Sequence, residues 1–136
     1  VIVEGGCYCK AVRYRAEGEP ILKLQCHCRE CQYISGGSPN VTMAMPKDGF
    51  AYTAGQPKAF RRSDLETPVV REFCPDCGTH MVSRAARLPD AVLLKVGTFD
   101  DPALFEGPKV AIFTIDKQPF HHLPEGLPAF ERRIQR

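Results

Sequence analysis

Apolar positions along this chain come in short runs. Residues 12–16 alternate weakly between apolar and polar, and residues 41–45 alternate until Pro46 stops them. A period of two predicts half-buried strands. Residues 59–61, 69–73 and 81–83 read as further strands. Residues 91–96 and 110–115 are near-continuous apolar runs, which predict central strands buried on both faces. Only two segments suggest helix. One follows Cys28 and ends near Gly36-Gly37; the other is a short polar stretch at 129–134. Twelve Pro and 11 Gly are spread through the chain and cut it into pieces too short for long helices. The expected fold is therefore mainly β, with short antiparallel strands and little helix. No repeat, low-complexity tract or composition break marks a linker, so residues 1–136 read as one domain.

Composition narrows the function classes. Apolar residues make up 43% of the chain, enough for a packed core and too many for a disordered tail. The formal charge is only +2, too small a bias to point to nucleic acid or anionic lipid. No apolar run approaches the roughly 20 residues that span a bilayer. Glu4, Gly5 and Gly6 interrupt the first residues, so no signal-peptide core is expected, although a chain that begins with Val can have lost its natural start. The default reading is a cytoplasmic protein with no membrane or nucleic-acid partner. Short edge strands leave a homo-oligomer possible.

The seven cysteines change this picture. An odd number strands one thiol if all pair as disulfides, and in a reducing compartment clustered cysteines more often bind metal. They fall in three clusters: Cys7-Tyr8-Cys9, Cys26-His27-Cys28-Arg29-Glu30-Cys31 and Cys74-Pro75-Asp76-Cys77, the last followed by Gly78. Pro75 suits the first corner of a tight turn and Gly78 a left-handed position after it, the build of a zinc knuckle. A redox dithiol shares the spacing, but it expects a helix directly after the motif, where a strand is predicted here. Cys7 and Cys9 alone are weaker and read equally as small buried hydrophobes. Paired with Cys74 and Cys77 they complete a four-thiolate structural site. Cys26, Cys28 and Cys31 then remain as three ligands, and zinc with three protein ligands keeps one position for water or substrate. A closed second site with a histidine as fourth ligand is the alternative. His27, between two ligands, is expected to point away; His80, His121 and His122 are candidates by residue type.

The motifs Gly6-Cys7-x-Cys9-x-x-Val12-x-Tyr14, Cys26-His27-Cys28-x-x-Cys31 with Ser35-Gly36, and Phe73-Cys74-x-x-Cys77-Gly78 resemble those of the glutathione-dependent formaldehyde-activating family, whose domain also occurs in centromere protein V. The resemblance covers nearly the whole chain. It implies a β-rich, zinc-dependent domain in which Cys7, Cys9, Cys74 and Cys77 hold a structural zinc. It implies that Cys26, Cys28 and Cys31 hold a second, catalytic zinc. The activity it implies is that of a carbon–sulfur lyase joining glutathione to formaldehyde as S-hydroxymethylglutathione. Two positions depart from the family pattern: Lys10 stands where Gly usually follows the first motif, and the chain has no Trp, with Phe120 in the corresponding C-terminal region.

Glutathione carries two carboxylates, so its site needs cationic side chains and free backbone N–H groups. Arg29, Ser35 and Gly36, with Asn40, lie near the second cluster and are the candidate substrate contacts; a helix end and loop is their ordinary role. Glu30 is a candidate proton relay or a solvated helix residue. Two other classes compete with the enzyme. One is a zinc-binding interaction module without catalysis. The other is a zinc-containing methionine sulfoxide reductase, which needs a reactive Cys outside its metal site.

Overall fold

The computed structural model describes residues 1–134. Among these residues ten strands form two sheets, with one α-helix between the third and fourth strands. The smaller sheet is antiparallel and contains β1 (Ile2–Gly6), β2 (Arg13–Glu17) and β5 (Phe50–Ala54), in that order. The larger sheet has seven strands. From one edge they are β10 (Val110–Ile112), β3 (Leu22–Cys26), β4 (Asn40–Pro46), β9 (Ala91–Lys95), β8 (His80–Arg84), β7 (Val70–Phe73) and β6 (Lys58–Phe60). All its pairs are antiparallel except β10 with β3. The helix, α1, covers Arg29–Ser35.

Strand periodicity gives the larger sheet two different faces. Met43, Met45, Val92 and Leu94 point to one side and pack against Val3, Tyr14 and Ala16 of the smaller sheet, all at or near zero exposure. The other side carries Leu22, Leu24 and Cys26 of β3, opposite Ala44, Thr42 and Asn40 of β4. Leu93 and Lys95 of β9 continue that side. Gly5 lets the smaller sheet close on the core. A Cβ there would lie 2.3 Å from the Thr98 carbonyl oxygen and 2.6 Å from Tyr14 Oη. Tyr52 Oη donates to Glu72 Oε1 at 2.5 Å, and Arg84 Nε donates to Glu72 Oε2 at 2.6 Å, tying β5 to the larger sheet.

Each expected strand exists, within one residue at most ends. β9 is central and buried on both faces, as its apolar run predicts. The run at 110–115 differs in two ways. β10 stops at Ile112, because Phe113 turns left-handed (φ 54°) into a 3-10 turn at Thr114–Asp116, and the strand lies at the sheet edge. Its burial comes from the segment expected to be helical at 129–134. That segment is irregular instead, with a bridge at Ala129 and a bend at 131–133: Ala111 N–H donates to Pro128 O, Phe130 N–H to Ala111 O, and Phe113 N–H to Arg132 O. A six-residue polar helix is marginal by itself, and covering the edge while seating Phe130 and Ile134 against Leu24 and Val110 is the better use of the sequence. Three strands, β1, β3 and β5, were not legible in the periodicity. No helix among the described residues is long and apolar enough to cross a membrane.

Candidate metal centres and the adjoining cleft

The seven cysteines gather in two groups, and none forms a disulfide. The Sγ atoms of Cys7, Cys9, Cys74 and Cys77 lie within 4.8 Å of one another. Those of Cys26, Cys28 and Cys31 do so separately. No cysteine remains outside the groups, so a reductase with an independent reactive thiol has no residue to use.

Two tight turns build the first group. After β1, Cys7 N–H donates to Val12 O (3.0 Å), Lys10 N–H to Cys7 O (3.1 Å) and Val12 N–H to Cys7 Sγ (3.2 Å). After β7, Gly78 N–H donates to Cys74 O (2.8 Å), Cys74 N–H to Thr79 O (3.0 Å) and Asp76 N–H to Cys74 Sγ (3.4 Å). The Val12 N–H aimed at Cys7 Sγ favours the Cys7 thiolate. In both turns the residue after the second cysteine is left-handed, Lys10 at φ 70° and Gly78 at φ 78°. Tyr8 N–H reaches Thr79 Oγ1 (3.2 Å) and joins the two turns. The sulfurs of Cys7 and Cys9 are 3.6 Å apart, and those of Cys9 and Cys74 3.8 Å. Four thiolates each about 2.3 Å from one zinc ion stand about 3.8 Å from one another, so donor set and spacing both fit such a metal.

The second group sits where β3 meets α1. β3 delivers Cys26; Cys28 is the helix N-cap and its sulfur accepts from Cys31 N–H (3.3 Å). Asn40, opposite Cys26 in the strand register, donates from Nδ2 to Cys31 Sγ (3.5 Å). Hydrogen bonds from Cys26 and then Cys28 push the Cys31 thiol down to about 2, while sharing a proton with Cys28 and Cys31 pushes Cys26 up. Of the three sulfurs, Cys31 is thus the one that gives up its proton most readily, and a metal ligand must be deprotonated.

The histidines do not close this group. His121 Nε2 faces the Gly37 carbonyl oxygen (2.7 Å), which only accepts, so Nε2 carries the proton. His121 Nδ1 then accepts from His27 Nδ1–H (2.9 Å) and Gln118 N–H (3.2 Å), and His27 Nε2 accepts from Gln25 Nε2 (2.9 Å). Every ring nitrogen of the pair is engaged, and burial holds His27 below the usual histidine range. His27 points away from the cysteines, as expected. His80, on β8, stacks on Phe73 (5.4 Å between centroids, 28°) and is not among the clustered ligand atoms. His122 contributes its carbonyl oxygen to Gln25 (3.0 Å).

A cleft of about 800 Å³ opens on Cys26, Cys28 and Cys31. Its walls include Asn40, Thr42, Arg71, Ser83 and Lys95. Cys7, Cys9, Cys74 and Cys77 do not line it. Arg71 is held by Glu30 (3.3 Å), so Glu30 is engaged in an ion pair at the cleft rim. Arg29 stacks over Tyr33 (5.1 Å from its ring centroid), bonds Gln32 Oε1 and lines a neighbouring cleft with Phe60 and His80. Ser35 Oγ bonds Ser38 O and Gly36 is the left-handed helix cap (φ 77°), so both terminate α1 and neither lines the cleft. Phe120 is largely exposed and packs edge-on against His121 (5.0 Å between centroids). Sequence reasoning missed Lys95 and Thr42. The available signal was a lysine inside an apolar run, since a cation in a two-sided strand needs a partner.

Residues 2–116 match the family profile described as glutathione-dependent formaldehyde-activating enzyme. Among curated proteins none matches significantly. Among solved structures, the chain is similar to a Rhodobacter sphaeroides protein known from a structural-genomics crystal structure. The TM-score is 0.59 at 16% identity, covering 71% of this chain and 87% of the other. That likeness concerns the fold.

Proposed function

The chain belongs to the glutathione-dependent formaldehyde-activating enzyme family, and on that premise we propose that it is a zinc-dependent carbon–sulfur lyase-type enzyme that adds a small thiol, glutathione or a relative, to formaldehyde or another small electrophile. One observation carries this reading: of the two cysteine groups, the one with three sulfurs is the one that faces a cleft. Cys7, Cys9, Cys74 and Cys77 would hold a structural zinc and Cys26, Cys28 and Cys31 a second one. When bound by three thiolates, zinc supplies a positive centre beside which a substrate thiol stays deprotonated.

The chain's own residues do the rest. Asn40 orients Cys31 through its Nδ2 donor. The Gln25–His27–His121–Gly37 chain of hydrogen bonds fixes the loop between Cys26 and Cys28 from behind. Leu22, Leu24 and Leu93 give the cleft an apolar floor that limits water. Arg71, at the rim, is the cation best placed for a substrate carboxylate, since its Glu30 partner is partly exposed and exchangeable. Holding thiol and electrophile together removes the translational freedom that a bimolecular addition loses.

Thiol–aldehyde addition also proceeds without an enzyme, so binding is the cleaner test. In cobalt(II)-substituted protein, the thiolate absorption of the three-Cys site should change on adding glutathione. Cys28→Ser should remove that change while the four-Cys signal persists. A cobalt spectrum unmoved by millimolar glutathione and related thiols would overturn the reading in favour of a zinc-binding interaction module.

A further inference from the structure

On the cleft face of the larger sheet, register sets Leu24, Thr42 and Lys95 in one row across β3, β4 and β9. Cys26 and Asn40 form the next row on that face. Two residues along a strand is about 7 Å, so the row with Lys95 lies one small molecule's width from the sulfurs. Lys95 is only 8% exposed and Thr42 3%. Lys95 Nζ donates to Ser83 Oγ at 3.0 Å. An ammonium has three donors, and among the described residues Lys95 has this one hydrogen bond and no carboxylate partner. Thr42 Oγ1 is buried with no hydrogen-bond partner at all.

A buried cation and a buried hydroxyl side by side, both with donors unmet, are costly to keep unless something occupies them. Both line the cleft that opens on Cys26, Cys28 and Cys31. The cleft lining also carries Glu30, paired with Arg71, and Glu66; among the described residues neither forms an ion pair with Lys95. A group that would satisfy Lys95 and Thr42 together is an oxygen carrying negative charge, small enough to sit beside the sulfurs.

We propose that Lys95 and Thr42 form an oxyanion pocket for the electrophile, receiving its carbonyl oxygen during thiol addition, with Lys95 a catalytic residue. This rests on the function proposed above. The thiol first releases its proton to solvent. A sulfur lone pair then forms the S–C bond while the C=O π pair moves onto oxygen. Lys95 N–H and Thr42 O–H hydrogen bond to that developing alkoxide, and water in the cleft returns a proton to it. The product is a hydroxyalkyl thioether, with no net proton gained or lost. Preorganised donors at a developing oxyanion act more strongly in a water-poor cleft than in bulk solvent.

The test uses wild type, Lys95→Met and Thr42→Val, each prepared both zinc-loaded and cobalt(II)-substituted; both substitutions are close in shape to the native residues. Three quantities are read: glutathione affinity from the cobalt band, formaldehyde–glutathione exchange by NMR exchange spectroscopy, and broadening of the carbon line of ¹³C-formate, a one-carbon oxyanion probe. Lys95→Met should keep both metals and hold glutathione affinity within about twofold, yet slow exchange about 100-fold and abolish formate broadening. Thr42→Val should slow exchange about tenfold. Loss of the second metal, or a tenfold loss of glutathione affinity in Lys95→Met, would overturn the proposal and assign Lys95 to balancing the thiolates. Unchanged exchange would overturn it too. If the wild type binds no glutathione, the proposed function fails, and formate broadening that depends on Lys95 still decides whether the pocket takes an oxyanion.

Discussion

The sulfur of Cys9 lies 3.8 Å from that of Cys74, 65 positions later in the chain. That contact clamps the end of β1 to the end of β7 and so locks one sheet onto the other. Metal binding at structural thiolate sites contributes on the order of 10 kcal/mol in small zinc peptides, comparable to the whole stability of a domain this size. Cys74→Ser should therefore give insoluble or unfolded protein. Circular dichroism and metal content check this: a soluble variant that melts cooperatively with full metal would contradict the clamp.

Metal removal should proceed in two stages. Three sulfurs with an open position hold a metal less firmly than four, and this difference outweighs the solvent exposure of Cys9 and Cys77 in the other group. Mild chelation should take about half the metal while the far-ultraviolet spectrum stays native. Release of all metal in one step, together with unfolding, would contradict two independent sites.

Lys10 occupies the left-handed position (φ 70°) that Gly78 occupies in the other turn. A side chain there costs roughly 1–2 kcal/mol, partly offset because glycine loses more freedom on folding. Lys10→Gly should stabilise the protein by about 0.5–1 kcal/mol, seen as a higher denaturant midpoint at unchanged slope.

His121→Ala should leave the His27 Nδ1–H and the Gly37 carbonyl without partners. The unmet buried donor of His27 costs about 1–3 kcal/mol, while the half-buried Gly37 carbonyl can turn to water, so a loss of about 1–3 kcal/mol in urea unfolding is expected. Both metal sites should still fill, because neither uses this ring.

His80 has a buried Nδ1 with no hydrogen-bond partner, and burial, with Lys95 and then Arg71 adding to it, lowers its pKa from 6.5. Below pH 6.5 the unfolded chain binds this proton more readily than the folded one, so stability falls as pH falls through that range. His80→Phe keeps the stack on Phe73 and removes the proton. Relative to wild type, its melting temperature should drop less between pH 7.5 and 5.5. An identical drop in both proteins would show that His80 takes no part in the acid response.

Much of this molecule is legible in its residues because the informative features are local. Cysteine spacing fixes which sulfurs can meet within one turn, and the count separates four from three before any fold is known. Alternation at 41–45 and the apolar run at 91–96 mark β4 and β9, since burial on one face or two leaves its mark on composition. Strands β1, β3 and β5 lacked such a mark: glycines occupy the close contact of β1, and β5 is half exposed. The 129–134 segment reads as a helix only when taken alone; beside β10 its backbone finds partners already waiting. What only the tertiary structure decided is which cysteine group lines a cleft and which residues share its walls. Thr42 and Lys95 lie 53 positions apart in the chain and become neighbours through pairing that no local pattern encodes. Local propensity sets which residues can bind, but a cleft exists only where separate strands and a helix leave volume unfilled.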